Sequence, residues 1–293
     1  MNLSIIIISK KVDAGLINTV DDWLGQDYKS KEIIVVTPDN KPINKKVIII
    51  KDLKKGPSVA RNLGLKKARG KYIIFRDSDE YSSVKNSKKL LSYAMKIINK
   101  KNADTGHFLS YPFKSGNFLR DAINIKDTMI TDNINILWPI IIKKNLIKKG
   151  FNEELEYGED KEFYPRIKKK KSVFINMPIM QDSAISNFRL FFNRYRWYGR
   201  TIKKYIKKTN DYNVLLIMFA SVIFIFSLLL SFKYNYFIIY NLCFIFYYYI
   251  KKINMIKYCI KKKIIFEFLM YPFITVISEI IMLIFFLNTK NHL

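Results

Sequence analysis

Short, continuously apolar runs alternate with stretches of helical spacing through the first third of the chain. The runs at residues 4–8, 32–37, 47–50 and 72–75 are rich in Ile and Val, and a further strand is expected at 105–110. Apolarity without a polar alternate face marks strands covered on both sides. Between them, residues 16–24, 57–68 and 84–99 repeat their apolar positions with helical spacing, and Gly25 and Gly70 close the first two. Strands alternating with helices build βαβ units, so the pattern predicts an α/β domain with a mostly parallel sheet and flanking helices. Residues 121–135 give no clear signal.

Beyond residue 185 the pattern changes. Phe188, Phe191, Phe192, Tyr195, Tyr198, Ile202, Tyr205 and Ile206 fall on one helical stripe, and Arg189, Arg194, Arg196, Arg200, Lys203, Lys204 and Lys207 lie among or opposite them. Such a stripe predicts a basic amphipathic helix lying in a membrane interface; the alternative is a helix whose aromatic face packs on the protein core. Three apolar runs follow at 213–232, 234–250 and 264–287, of which the second is near the lower limit for crossing a bilayer. Lysines crowd the approach to the first run and the loop at 251–263, whereas Lys233 stands alone between the first two. The positive-inside bias then predicts a multi-pass cell-membrane protein with its N-terminal domain in the cytosol and its carboxyl end outside. The apolar run at the N-terminus is short and broken by Ser4, which agrees with a cytosolic domain. The expected division is 1–184 for that domain, 185–212 for the interfacial helix and 213–293 for the membrane region.

Charge adds a partner class. The 293 residues carry 51 Lys and Arg against 24 Asp and Glu, a net charge of +27. A polyanion or an anionic membrane surface fits that excess, and no recognisable nucleic-acid motif is present, so membrane lipids are the expected partner and nucleic acid is not. Cys243 and Cys259 make neither a disulfide framework nor a zinc site. His107 and His292 are too few and too isolated for histidine chemistry.

The candidate chemistry is acidic. Gly56-Pro57 opens the helix at 57–68, the strand at 72–75 follows Gly70, and Asp77-Ser78-Asp79 comes where that strand ends. In an open α/β sheet, ligands gather outside the carboxyl ends of the strands. Two carboxylates there can hold a hard divalent cation, which in turn can hold a diphosphate. The alternative is a solvated acidic turn. A second acidic group, Gly158-Glu159-Asp160, follows Gly150-Phe151-Asn152-Glu153-Glu154-Leu155; by itself it also reads as an acidic helix start. Within the third apolar run Glu279 is deep enough that an ionised form is costly in lipid.

Taken in order, the runs 4–39, 56–79 and 150–166 resemble the family-two nucleotide-sugar glycosyltransferases of GT-A fold. The resemblance implies that Asp77 and Asp79 are the family's D-x-D, with Asp77 at the nucleotide ribose or metal shell and Asp79 ligating Mg²⁺ or Mn²⁺. It implies Asp160, beside Glu159, as the general base of a single inverting displacement. Asp39 and Arg61 are implied at the nucleotide-sugar. Asn193-Arg194-Tyr195-Arg196-Trp197 is similar to the Q-R-x-R-W of processive polysaccharide synthases, which would bring Arg196 to the diphosphate and Trp197 to a sugar; membrane anchoring is the alternative role. The chain departs from the pattern at Ser9-Lys10-Lys11-Val12-Asp13, at Val35-Val36-Thr37-Pro38-Asp39-Asn40, and at Met180-Gln181-Asp182, where relatives often carry a metal-site His and Asp182 is the substitute oxygen ligand. The implied activity moves a sugar from a nucleotide-diphospho-sugar to a polyprenyl-linked or glycan acceptor. A processive polysaccharide synthase subunit and a catalytically inactive basic membrane-binding module are the alternatives.

Overall fold

The computed structural model describes residues 1–39, 41–78, 80–81, 88–128, 141–167, 171–183 and 185–289. The chain divides into two units, residues 1–111 with 131–182, and residues 112–130 with 183–293.

The first unit is built on β1 (Leu3–Ile8), α1 (Ala14–Leu24), β2 (Lys31–Thr37), β3 (Val47–Lys51), α2 (Pro57–Lys67), β4 (Tyr72–Asp77), β5 (Glu80–Tyr81) and α3 (Leu90–Lys101), followed by β6 (Thr105–Pro112). Strands β3, β2, β1 and β4 are parallel neighbours, and one register level carries Val36, Ile8 and Asp77 across three of them. The loops after β2 and β4 therefore leave the sheet at one edge. Alternate residues of each strand enter opposite cores. Ile5, Ile7, Ile33, Val35 and Ile74 meet Trp23 of α1 and Leu91 of α3. Ile6, Ile34, Val36, Ile73 and Phe75 meet Ala60 of α2 with Phe151 and Phe163. Helix α2 lies close on that second face because Gly64 has no Cβ to strike Ile6.

The sheet is mixed rather than mostly parallel. Its order is β3-β2-β1-β4-β7-β6-β8-β5, with β7 (Ile141–Lys143) antiparallel to both β4 and β6, and β8 (Ser172–Gln181) antiparallel to β5. A helical crossover enforces parallel neighbours. After β6 the chain instead makes an excursion into the second unit through α4 (Phe118–Asp127) and returns as a strand of three residues. So short a strand shows no period from which its direction could be read. The excursion also takes residues 112–130 out of the stretch that the sequence assigns to the N-terminal domain.

In the second unit α4 joins α6 (Phe188–Thr209), α7 (Asn213–Ser231), α8 (Tyr236–Lys251), α9 (Ile256–Lys262) and α10 (Ile265–Leu287). At 1.5 Å per residue α7 is about 28 Å long and α8 only about 24 Å, against a hydrocarbon layer of about 30 Å. Two described helices, α7 and α10, are long and apolar enough to cross a membrane, so the structure supports two candidate spans and not clearly the expected three. The two are not alike: 28% of the apolar stretch of α7 is buried within the protein, but 56% of that of α10. The stripe on α6 expected to face lipid is covered in part: Phe191, Tyr195, Ile202, Tyr205 and Ile206 are buried, Phe192 and Tyr198 half-buried, and Phe188 exposed. Phe191, Tyr195, Gly199, Ile202 and Tyr205 form the covered face, with Gly199 set so tightly against the backbone of Met282 in α10 that any Cβ would collide. Helical spacing alone does not distinguish a face that meets lipid from one that meets another apolar helix.

Candidate active site

Helix α2 presents three polar side chains, Ser58, Arg61 and Asn62, at positions that helical geometry places on one face. All three reach the segment from Gly150 to α5 (Glu159–Phe163). The Ser58 hydroxyl donates to the Leu155 carbonyl at 2.6 Å. Asn62 closes two bonds with one residue: its amide donates to the Phe151 carbonyl at 2.9 Å, and its carbonyl accepts the Phe151 N–H at 2.8 Å. Gly150 is required beside it, since a Cβ there would overlap the Asn62 side chain. Below these bonds, Phe151 stacks on Phe163 with centroids 4.0 Å apart, and Phe75 of β4 meets Phe151 edge-on at 5.0 Å. Arg166 completes the fold-back by donating to the Gly150 carbonyl at 2.8 Å.

Arg61 is the centre of the arrangement. One arm of its guanidinium donates to Glu159 Oε1 at 2.6 Å, the other to Asp77 Oδ1 at 2.8 Å. The group lies over the Phe151 ring, 5.3 Å from its centroid. The planar fork of arginine suits two carboxylates at once, whereas a lysine point charge would not hold both in register. Arg61 and Glu159 are buried; the Asp77 side chain is 46% exposed and so remains open to a ligand at the sheet edge. Burial pushes Glu159 above the usual carboxylate range, the Arg61 cation pulls it back, and the charge of Asp160 pushes it up again. The two carboxylates hold Arg61 firmly in its charged form.

The sequence-derived residues thus divide. Asp77, Arg61 and Glu159 meet directly. Asp160 follows Glu159 in the first turn of α5, half-buried, and one of its oxygens accepts the N–H of Lys161 at 2.8 Å. Asp39 lies past the end of β2, where its carboxylate accepts the Val12 N–H at 2.8 Å, tying the loop after β1 to the same sheet edge. Asp182 is buried one residue beyond Gln181, the partner of Glu80 in the β5–β8 register, and so comes to the end of β5 that follows Asp77-Ser78. Asp79 lies outside the described residues. Arg196 and Trp197 belong to α6 in the second unit, where both are half-buried and the Trp197 ring lies 5.2 Å from that of Tyr198. In the same motif Arg194 donates to Asp127 at 3.4 Å and to the Tyr198 hydroxyl.

Sequence reasoning missed Ser58, Asn62 and Phe151. Two signals were available: polar residues at i, i+3 and i+4 on a helix that otherwise covers a core, and a glycine directly before the phenylalanine they grip.

Among the described residues no group of three or more His, Cys, Asp or Glu side chains could by itself hold a metal ion. Asp77, at the end of β4, and Asp182, just past β8, carry hard oxygen donors, the type that Mg²⁺ and Mn²⁺ prefer. They fit such an ion as part of a set completed by ligand oxygens.

Residues 4–97 match the family model described as Glycosyl transferase family 2. An Escherichia coli UDP-Glc:alpha-D-GlcNAc-diphosphoundecaprenol beta-1,3-glucosyltransferase is 34% identical over 178 residues, which cover 50% of this chain and 71% of the relative. A Campylobacter jejuni GalNAc(5)-diNAcBac-PP-undecaprenol beta-1,3-glucosyltransferase is 26% identical over 200 residues, 59% of this chain and 62% of the relative. The solved structure of S. aureus TarS 1–349 overlaps 69% of this chain and 65% of its own, at 21% identity and a TM-score of 0.49.

Proposed function

This chain belongs to glycosyl transferase family 2, and from that membership we propose that it transfers a sugar from a nucleotide-diphospho-sugar to a polyprenyl-diphosphate-linked glycan at the cytosolic face of a membrane, by one inverting displacement. The observation that carries this reading is the Arg61 fork, because it joins the acid at the end of β4 to the turn that bears Asp160. The glycosyl donor has its leaving diphosphate at one end and its anomeric carbon at the other. A cleft that serves it needs a charge-neutralising end and a basic end a short distance apart, and Asp77 and Asp160 supply them.

The roles follow from position. Asp39, at the edge where β2 ends, receives the nucleoside. Asp77, with Asp79 and Asp182, would hold Mg²⁺ or Mn²⁺, whose contribution is to neutralise the charge that develops on the leaving diphosphate. Asp160 takes the proton from the attacking acceptor hydroxyl. Glu159 is engaged by Arg61 and positions its neighbour. The two curated relatives act, by their names, on sugars linked to undecaprenol through a diphosphate; an acceptor of that class suits a chain whose second unit exposes the long apolar surfaces of α7 and α8.

The reading is tested with the detergent-solubilised full chain, a panel of nucleotide sugars that includes UDP-glucose, and a synthetic polyprenyl-diphosphate N-acetylhexosamine. The expected result is an acceptor heavier by one hexose and a matching release of nucleoside diphosphate, abolished by EDTA and restored by Mn²⁺. Folded protein that releases no nucleoside diphosphate from any donor overturns the function; transfer that survives EDTA overturns the metal requirement alone.

A further inference from the structure

Helix α10 has the length and composition of a membrane span, yet besides the apolar α7 it packs on two charged helices, α4 and α6. Its first half runs beside α4, a helix of ten residues that carries Arg120, Asp121, Lys126 and Asp127. Phe118 of α4 meets Phe266 at the start of α10 with centroids 5.6 Å apart, and Lys126, at the far end of α4, is close enough to Glu279 for that carboxylate to help hold its charge. Lys114, just before α4, donates to the Lys262 carbonyl at the end of α9, so the segment that leads into α10 starts at the same level. The second half of α10 runs beside α6. Phe192 meets Phe285 at 5.6 Å, Arg200 lies over the Phe285 ring at 5.4 Å, and Lys203 lies over Phe286 while donating to the Thr289 carbonyl at 2.5 Å.

If α10 crossed a bilayer, these partners would cross with it. Lys126, Asp127 and Arg194 would lie in hydrocarbon, and Arg200 and Lys203 would sit on the far side. Charged side chains strongly resist that placement, and α6 carries eight Lys and Arg among its 22 residues. The α7–α8 hairpin carries no charged residue along its shaft and meets α4 at its foot, where Lys252 donates to the Lys126 and Thr128 carbonyls. Leu216, Phe226, Leu229, Phe232, Tyr236 and Ile239 are among its exposed apolar residues, and the Ser227 hydroxyl of α7 donates to the Asn241 side-chain oxygen of α8, joining the two helices within the hairpin. Charge marks its ends: Lys207 and Lys208 close α6 before it, and Lys251 and Lys252 follow it. Lysines at both feet and an apolar shaft between them fit a bilayer with anionic headgroups.

We propose that the α7–α8 hairpin alone enters the bilayer and returns, and that α10 stays along its whole length on the side of the membrane occupied by α4 and α6. The end of α10 is then cytosolic, not external as the hydropathy of the sequence predicts. The inference rests on the membrane location proposed above but not on the catalytic reading.

Cysteine labelling of the full chain separates the possibilities. In a background with Cys243→Ser and Cys259→Ala, single cysteines are introduced by Asn288→Cys at the end of α10 and by Lys45→Cys on the first unit, with Thr289→Cys as a second reporter should the first fold poorly. A membrane-impermeant maleimide is applied to intact spheroplasts and to inverted vesicles. The expected result is that the α10 reporter labels together with the Lys45→Cys reporter, in inverted vesicles only. Labelling of the α10 reporter in intact spheroplasts, with the Lys45→Cys reporter protected, overturns the proposal. Release of the chain from membranes by high salt alone would overturn the inserted hairpin and the membrane location together, whereas loss of transfer activity without a change in labelling would touch only the catalytic reading.

Discussion

Asp160→Asn lowers kcat for sugar transfer by about 10²–10⁴-fold, the span expected when a positioned general base is lost. Asparagine keeps the size of the side chain and can still accept the Lys161 N–H, so the turn is not disturbed. Nucleotide affinity, read by calorimetric titration with UDP, should stay close to that of the unaltered chain, because the proposed roles put Asp39 and Asp77, not Asp160, at the nucleotide. A fall confined to kcat marks an interaction made only in the transition state. The companion Glu159→Gln separates the two adjacent acids: the amide oxygen still accepts from Arg61, and the variant should retain far more activity than Asp160→Asn. An Asp160→Asn enzyme as fast as the unaltered one removes Asp160 from the mechanism.

Arg61→Ala has the largest expected effect on stability. Removing one partner of a buried ion pair typically costs about 3–5 kcal/mol, since the remaining charge stays desolvated. Here most of that cost falls on Glu159, whose side chain is only 12% exposed; Asp77 is 46% exposed, and water takes over much of what the guanidinium supplied. The low end of the range, about 3 kcal/mol, is therefore expected, a fall in Tm of roughly 6–12 °C for a unit of this size. The sign for Glu159 follows from its surroundings. Arg61 is what restrains its pKa, so the variant moves Glu159 further upward and favours the protonated form. Arg61→Lys should recover part of the stability and little of the activity, because one ammonium cannot fork to both acids. The check is a thermal melt of the solubilised protein together with the transfer assay. An unchanged Tm would mean that the fork does not hold the turn against β4.

The parallel half of the sheet was legible because βαβ units write themselves in alternating short apolar runs and helical spacing: β1, β2, β3, β4, α1 and α2 all lie within a few residues of the positions expected. The antiparallel half was not. β7 is too short to show a period, and the chain reaches it by an excursion that leaves no trace in local pattern. In the site, Asp77 and Glu159 were readable as acids at a strand end and at a helix start. Arg61 was named as well, but for the nucleotide-sugar; that its two arms join these acids was not readable, because helical spacing does not show which side chains a buried arginine meets, and Ser58 and Asn62 were hidden in the same way. The three-span expectation narrowed because α8, with 16 residues, falls short of the hydrocarbon layer, whereas α7 and α10 keep the length and composition of spans. Hydropathy reports only that a helix avoids water, and the burial of more than half of the apolar stretch of α10 is what motivates the proposal that it does not cross.

In the proposed mechanism one cleft, fixed by Arg61, holds the donor diphosphate beside Asp77 and the anomeric carbon before Asp160. It is tested most directly by a structure of the full chain with an unreactive UDP-sugar analogue. The expected density puts the diphosphate at the carboxyl end of β4 and the sugar between Asp77 and the first turn of α5, with the Arg61 fork intact. Nucleotide density at another edge of the sheet, or a sugar directed away from Asp160, would contradict it.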